Sequence, residues 1–262
     1  MQFENLKFEV QDGLARLTFN RPNAANSFNL EMTREFLEAA TICCKDSKLL
    51  AVLLTGEGRF FCAGGDLKGF AAARDEVSKF VAETADTLHA AISKFARMNA
   101  PIVAAVNGPA AGAGMSVVCM TDIALAAESA VFSMAYTAAG LAPDGSSTYF
   151  LPRIVGMRRA RELMLTNRRL SAAEAEAMGI IERVVPDNDL MAEAEKVARA
   201  LANGPTLAFG AVKKLLLASQ TAQLEDQLDA ETNAIASMTI TQDGREGVLA
   251  FREKRAPNFK GA

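Results

Sequence analysis

The sequence predicts an α/β fold in which helices cover a sheet of buried strands. Three observations carry this reading. The short apolar runs "LLAVLLTG" at 49–56 and "PIVAAVNG" at 101–108 have the continuous hydrophobicity of strands covered on both faces. Longer stretches beside them carry apolar residues at helical spacing. Strand and helix then alternate, which is the order of a layered α/β domain.

Taken in order, "LARLTFNRP" at 14–22 alternates like a half-buried strand and stops at Pro22. A helix is predicted over 28–46, with Phe28, Met32, Phe36 and Ala40 on one face. The strand 49–56 ends on glycine. A second helix is predicted from Asp75 to Arg97, with Val81, Leu88, Ile92 and Phe95 along one stripe. After the strand 101–108, "MSVVCMTDIALAAE" at 115–128 reads as a helix running into a strand, and "AVFSMAY" at 130–136 as a short extended piece. Beyond about Val185 no strand pattern recurs. "LMAEAEKVARALAN", "TLAFGAVKKLLLASQ" and "LEDQLDAETNAIASMTI" are amphipathic helices. The expected division is a core over 1–195 and a helical region over 196–262, packed on its own core or on a partner subunit.

Composition excludes several function classes. A net charge of −3 and a pI near 5.4 give no electrostatic footprint for nucleic acid or an anionic membrane. No apolar run is long enough to span a bilayer. The opening "MQFENLKFEV" lacks the apolar stretch of a secretory signal. Cys43, Cys44, Cys62 and Cys119 show no metal-ligand spacing and suggest a reducing, cytoplasmic setting. With a single histidine, His89, a histidine-rich metal centre is ruled out.

Two glycine-rich turns stand out. "RFFCAGGDLKGF" at 59–70 follows the strand 49–56, and Asp66 is placed to cap a following helix. "NGPAAGAGMSVV" at 107–118 follows the strand 101–108 and also leads into a helix. It lacks the third glycine of a dinucleotide fingerprint, since Val117 stands there, and the Gly-Lys-Ser/Thr of a P-loop. Backbone N–H groups from two such loops could hold one developing oxyanion without any titrating group.

"FCAGGDL" together with "AAVNGPAAGAG" resembles the paired signature of the crotonase, or enoyl-CoA hydratase/isomerase, superfamily. The resemblance runs from "RPNAANSFN" through "GLAPDGSSTYFLPRIVGMRRARELMLTNRRLSAAEA" to "FREKRAPNF", nearly the whole chain. It implies a spiral of ββα units with a C-terminal helical trimerisation region, a trimer or a dimer of trimers, and an acyl-CoA thioester as substrate. Coenzyme A would arrive as part of the substrate, with no further cofactor and no metal. The resemblance places the oxyanion N–H groups on Gly65 and Ala113. Ala24, Ala25, Ala63, Asp66, Leu67 and Lys68 would line the coenzyme A channel, with Gly112, Ser116 and Tyr136 as further substrate-binding residues.

The oxyanion hole is common to the superfamily, so side chains must name the reaction. Hydratases of this group resemble one another in using two glutamates, and the two positions here are Ser116 and Tyr136. Asp144, in the turn "GLAPDGSST", is the remaining carboxylate at a position the family uses. That pattern resembles Δ3,Δ2-enoyl-CoA and ring-epoxide isomerases, in which one base moves a proton. Such a base is expected in a desolvated setting, with Leu141, Ala142 and Phe150 as neighbours. The plainer expectation for Asp144 is a cap on a helix beginning near Ser146. Three alternatives stand beside an isomerase: a hydratase, a 4-chlorobenzoyl-CoA dehalogenase-like hydrolase using His89, and an acyl-CoA-binding protein without catalysis.

Overall fold

A computed structural model of the chain describes residues 3–262. Strands β1 (Leu6–Gln11) and β2 (Leu14–Phe19) form an antiparallel hairpin. Its two-residue turn, Asp12-Gly13, has φ of 51° and 75°, the double left-handed geometry that matches strand twist. β3 (Ala51–Gly56) and β4 (Ile102–Val106) then join in parallel. β5 (Ala110–Ala111) belongs to a second sheet, while β6 (Ile123–Ala127) continues the first. β7 (Val131–Ser133) and β8 (Leu170–Ser171) complete the small sheet, and β9 (Arg183–Val185) closes the large one. The large sheet runs β1-β2-β3-β4-β6-β9, and the small one runs β5-β7-β8.

Both faces of the large sheet are covered, as the continuous apolar runs require. On one face lie α1 (Leu30–Lys45), capped by the Asn29 side chain, and α3 (Val77–Arg97). Phe19, Phe28, Phe36, Phe61 and Phe95 meet beneath them, with Phe36 and Phe95 ring centres 4.9 Å apart. On the other face Leu53, Val103, Ala105 and Leu125 pack under Leu190, Ala194 and Ala198 of α8 (Leu190–Ala202). The expected division at 195 therefore falls inside a helix that belongs to the core. The helices that leave the sheet begin with α9 (Thr206–Ser219).

A buried cation ties α9 to the core. Lys213 is 9% exposed, and its ammonium donates to the Phe95 and Ala100 carbonyls and to Asp122 Oδ2 at 2.7 Å. Burial pulls its pKa down, and the Asp122 charge pulls the other way. α10 (Leu224–Thr239) buries no residue within the chain, and Leu224, Leu228 and Ile235 are all more than half exposed. α11 (Gln242–Glu253) carries Asp243 in its first turn, and the Asp243 carboxylate accepts the Lys260 and Gly261 amides at 2.7 Å. No helix among the described residues is long and apolar enough to cross a membrane.

Five further helices complete the fold. They are α2 (Leu67–Ala72), α4 (Ala113–Met120), α5 (Ser147–Val155), α6 (Met157–Thr166) and α7 (Ala172–Ala177).

Candidate active site

The two glycine-rich loops interlock. Gly64 has φ of 95°, and a Cβ there would lie 2.8 Å from the Ala111 carbonyl oxygen and 3.2 Å from the Ala113 nitrogen. A Cβ on Gly114 would overlap the Cys62 carbonyl oxygen. Only glycine lets the loops approach this closely. Pairing of Cys62 with Ala110 and of Phe28 with Gly65 carries the contact outward. Burial pushes the Cys62 and Cys119 thiols up to about 12, which makes them packing residues rather than nucleophiles.

Ala113 is the first residue of α4, where helix geometry leaves N–H groups without carbonyl partners. Neither the Ala113 nor the Gly65 amide donates to any acceptor among the described residues. Both residues line one cavity of about 340 Å³. Ala63, Leu67, Gly112, Tyr136, Leu141, Ala142 and Asp144 line it with them. Two unpaired amide donors beside one apolar-walled space suit an oxygen that gains negative charge.

Asp144 also lines a second cavity, of about 880 Å³, with His89, Tyr149 and Phe150. It is thus the one residue common to both cavities, and the only carboxylate among the described residues lining either. Its carboxylate does not cap α5. Ser147 N–H reaches the Asp144 backbone carbonyl instead, and Tyr136 donates to carboxylate Oδ1 at 2.7 Å. Oδ2 carries no partner among the described residues. Burial, and then the charge of Asp144, pushes the Tyr136 pKa up, so the phenol keeps its proton and acts as a donor. Ser116 is fully buried; its Oγ lies 2.9 Å from the Tyr136 hydroxyl and 3.2 Å from the Asp144 carbonyl. Ser116 and Tyr136 thus form one polar unit behind Asp144.

Other expected residues lie outside this cluster. Asp66 caps α2 by accepting the Gly69 amide and pairs with Arg21 at 3.0 Å, so its carboxylate is occupied. Lys68 is exposed and lines neither cavity. Ala24 and Ala25 sit on a loop whose Ala25 carbonyl accepts the Ala63 amide at 3.0 Å. Fully buried Asn26 fastens that loop, accepting from the Arg21 amide and donating to the Glu57 and Phe60 carbonyls. The sequence reading passed over Asn26. An asparagine after two alanines inside a turn was the available signal.

Residues 9–262 match the enoyl-CoA hydratase/isomerase family. This chain belongs to that family. A probable enoyl-CoA hydratase of Rhodobacter capsulatus is 39% identical, with 100% of both chains covered. The 1,2-epoxyphenylacetyl-CoA isomerase of Escherichia coli is 38% identical over 96% of this chain and 97% of its own. The enoyl-CoA hydratase structure from Bacillus anthracis superposes with a TM-score of 0.92 at 32% identity, covering 99% and 100%. The architecture is the crotonase fold, and the chain is an acyl-CoA enzyme of the hydratase/isomerase family.

Proposed function

We propose that this chain is an enoyl-CoA isomerase in which Asp144 carries one proton between two carbons of the acyl group. The observation that carries the reading is the solitary carboxylate. Asp144 is the only acid among the described residues lining the cavity of the Gly65 and Ala113 amides, and one of its oxygens is free.

The thioester oxygen would accept from the Gly65 and Ala113 amides. Asp144 Oδ2 removes the proton from the carbon beside the thioester. The electron pair moves into the carbon–carbon bond, and the charge settles on the thioester oxygen, where each amide donor contributes about 3 kcal/mol. The carboxylic acid then returns its proton two carbons further along, and the double bond ends conjugated with the thioester. Tyr136 holds Oδ1 so that Oδ2 stays aimed. Ala24, Ala25, Ala63 and Leu67 are assigned to the coenzyme A channel, and the reaction calls for no cofactor beyond the coenzyme A of its substrate.

Hydration is the second reading, favoured by the name of the Rhodobacter capsulatus relative. It would have to run on Asp144 alone, since Ser116 and Tyr136 occupy the two glutamate positions. A dehalogenase-like reaction is less supported, because His89 Nε2 already accepts a backbone amide and is not free to activate water.

The deciding experiment follows a panel of 3-enoyl-CoA and 2-enoyl-CoA thioesters by mass spectrometry, with the parent chain and Asp144→Asn. An isomerase converts 3-enoyl to 2-enoyl thioesters, hydrates crotonyl-CoA little, and loses most activity in the variant. Full activity of Asp144→Asn overturns the proposal.

A further inference from the structure

The Gly145 amide donates to His89 Nε2 at 3.0 Å. A backbone N–H can only donate, so Nε2 must present its lone pair, and the ring is neutral with its proton on Nδ1. A proton added at Nε2 would set two donors against each other. Gly145 directly follows Asp144, and both Gly145 and Ser146 are left-handed, with φ of 59° and 67°. A left-handed serine persists only where its surroundings hold it. Ser116 and Ser147 hold the Asp144 carbonyl from one side. His89, from α3, holds the Gly145 amide from the other.

We propose that His89 is a positioning residue: in its neutral form it fastens the turn that carries Asp144, and its protonation lets the turn go. The proposal rests on Asp144 being the base. It gives a histidine a task in this site that involves no contact with the reacting atoms. The titratable and charged groups that share the ring's cavity are Arg97 from its own helix, Asp144 from the turn, Tyr149 from α5 and Lys214 from α9. A proton on Nε2 removes the lone pair that the Gly145 amide uses.

The experiment compares pH profiles of kcat and KM for the parent chain, His89→Gln and His89→Ala. A glutamine oxygen accepts the Gly145 amide and does not titrate. His89→Gln is expected to keep kcat at pH 8 within about threefold and to move the acid limb down by roughly a pH unit or more. His89→Ala is expected to lose kcat about tenfold at pH 8 with KM nearly unchanged. Loss of activity in His89→Gln equal to that in His89→Ala, or an acid limb identical to the parent's, overturns the proposal. Hydrogen exchange of the peptide spanning 141–150 separates this from the base assignment. Exchange should quicken on acidification in the parent, relative to the intrinsic rate, and not in His89→Gln. That readout stands whether or not Asp144→Asn is active.

Discussion

The Tyr136 phenol lies 2.7 Å from Asp144 Oδ1 and is the only side chain on that carboxylate among the described residues. A hydrogen bond to a charged group contributes roughly 1.5–3 kcal/mol. Tyr136→Phe should therefore lower kcat about 10- to 100-fold while KM stays within a factor of about three. Steady-state kinetics on a 3-enoyl-CoA substrate measures this. An unchanged kcat would mean that the phenol does not orient the base.

Gly64→Ala places a methyl group against the Ala111 carbonyl in a backbone region that suits glycine. We expect a stability loss of about 1–3 kcal/mol. The displaced loop also separates the two amide donors, and kcat should fall about 100-fold. Thermal melts with kinetics on the same preparation test both. A variant that melts lower but turns over normally would detach Gly65 from oxyanion binding.

The uncovered face of α10 bears on assembly. Leu224, Leu228 and Ile235 are more than half exposed on a helix that has no fully buried residue, and exposed apolar faces of this kind mark contact surfaces. We propose that α10 forms the contact of a homotrimer. Ile235→Asp should convert trimer to monomer in analytical ultracentrifugation. A monomeric parent chain, or a trimer indifferent to the charge, removes the assignment.

Lys213→Met strips three acceptors, the Phe95 and Ala100 carbonyls and Asp122, of their shared donor. We expect a loss of about 2–4 kcal/mol at neutral pH in urea unfolding. The sign with pH follows from burial, which lowers the Lys213 pKa in the folded chain. The unfolded chain then binds more protons as pH approaches the ordinary lysine value of 10.5, and stability should rise across that window. Lys213→Met should lack the rise. A rise of equal size in the variant would assign it to another group.

The buried strands β3 and β4 were legible because two-faced burial leaves continuous apolar runs. The stripe on α3 was legible too, although Val81 lines the smaller cavity instead of joining the core. β1 went unread, since five of its six residues are less than fully buried and its only clear mark is the Asp12-Gly13 turn. In the site, the glycine loops announced themselves through residue type. The bonds His89–Gly145 and Lys213–Asp122 did not, because they join positions 56 and 91 apart and depend on where whole helices come to rest. Asp66 was legible by half: its cap on α2 could be read, whereas Arg21, which takes its other oxygen, lies 45 residues away.

The overlap between a Gly114 Cβ and the Cys62 carbonyl, together with the tight approach at Gly64, has a consequence for inheritance. Two segments nearly fifty positions apart behave as one part. A chimera that takes one loop from a relative and keeps the other from this chain joins surfaces shaped against different neighbours. Change in this region should therefore arrive in pairs, and laboratory diversification should randomise 62–65 and 111–114 in the same library rather than in turn.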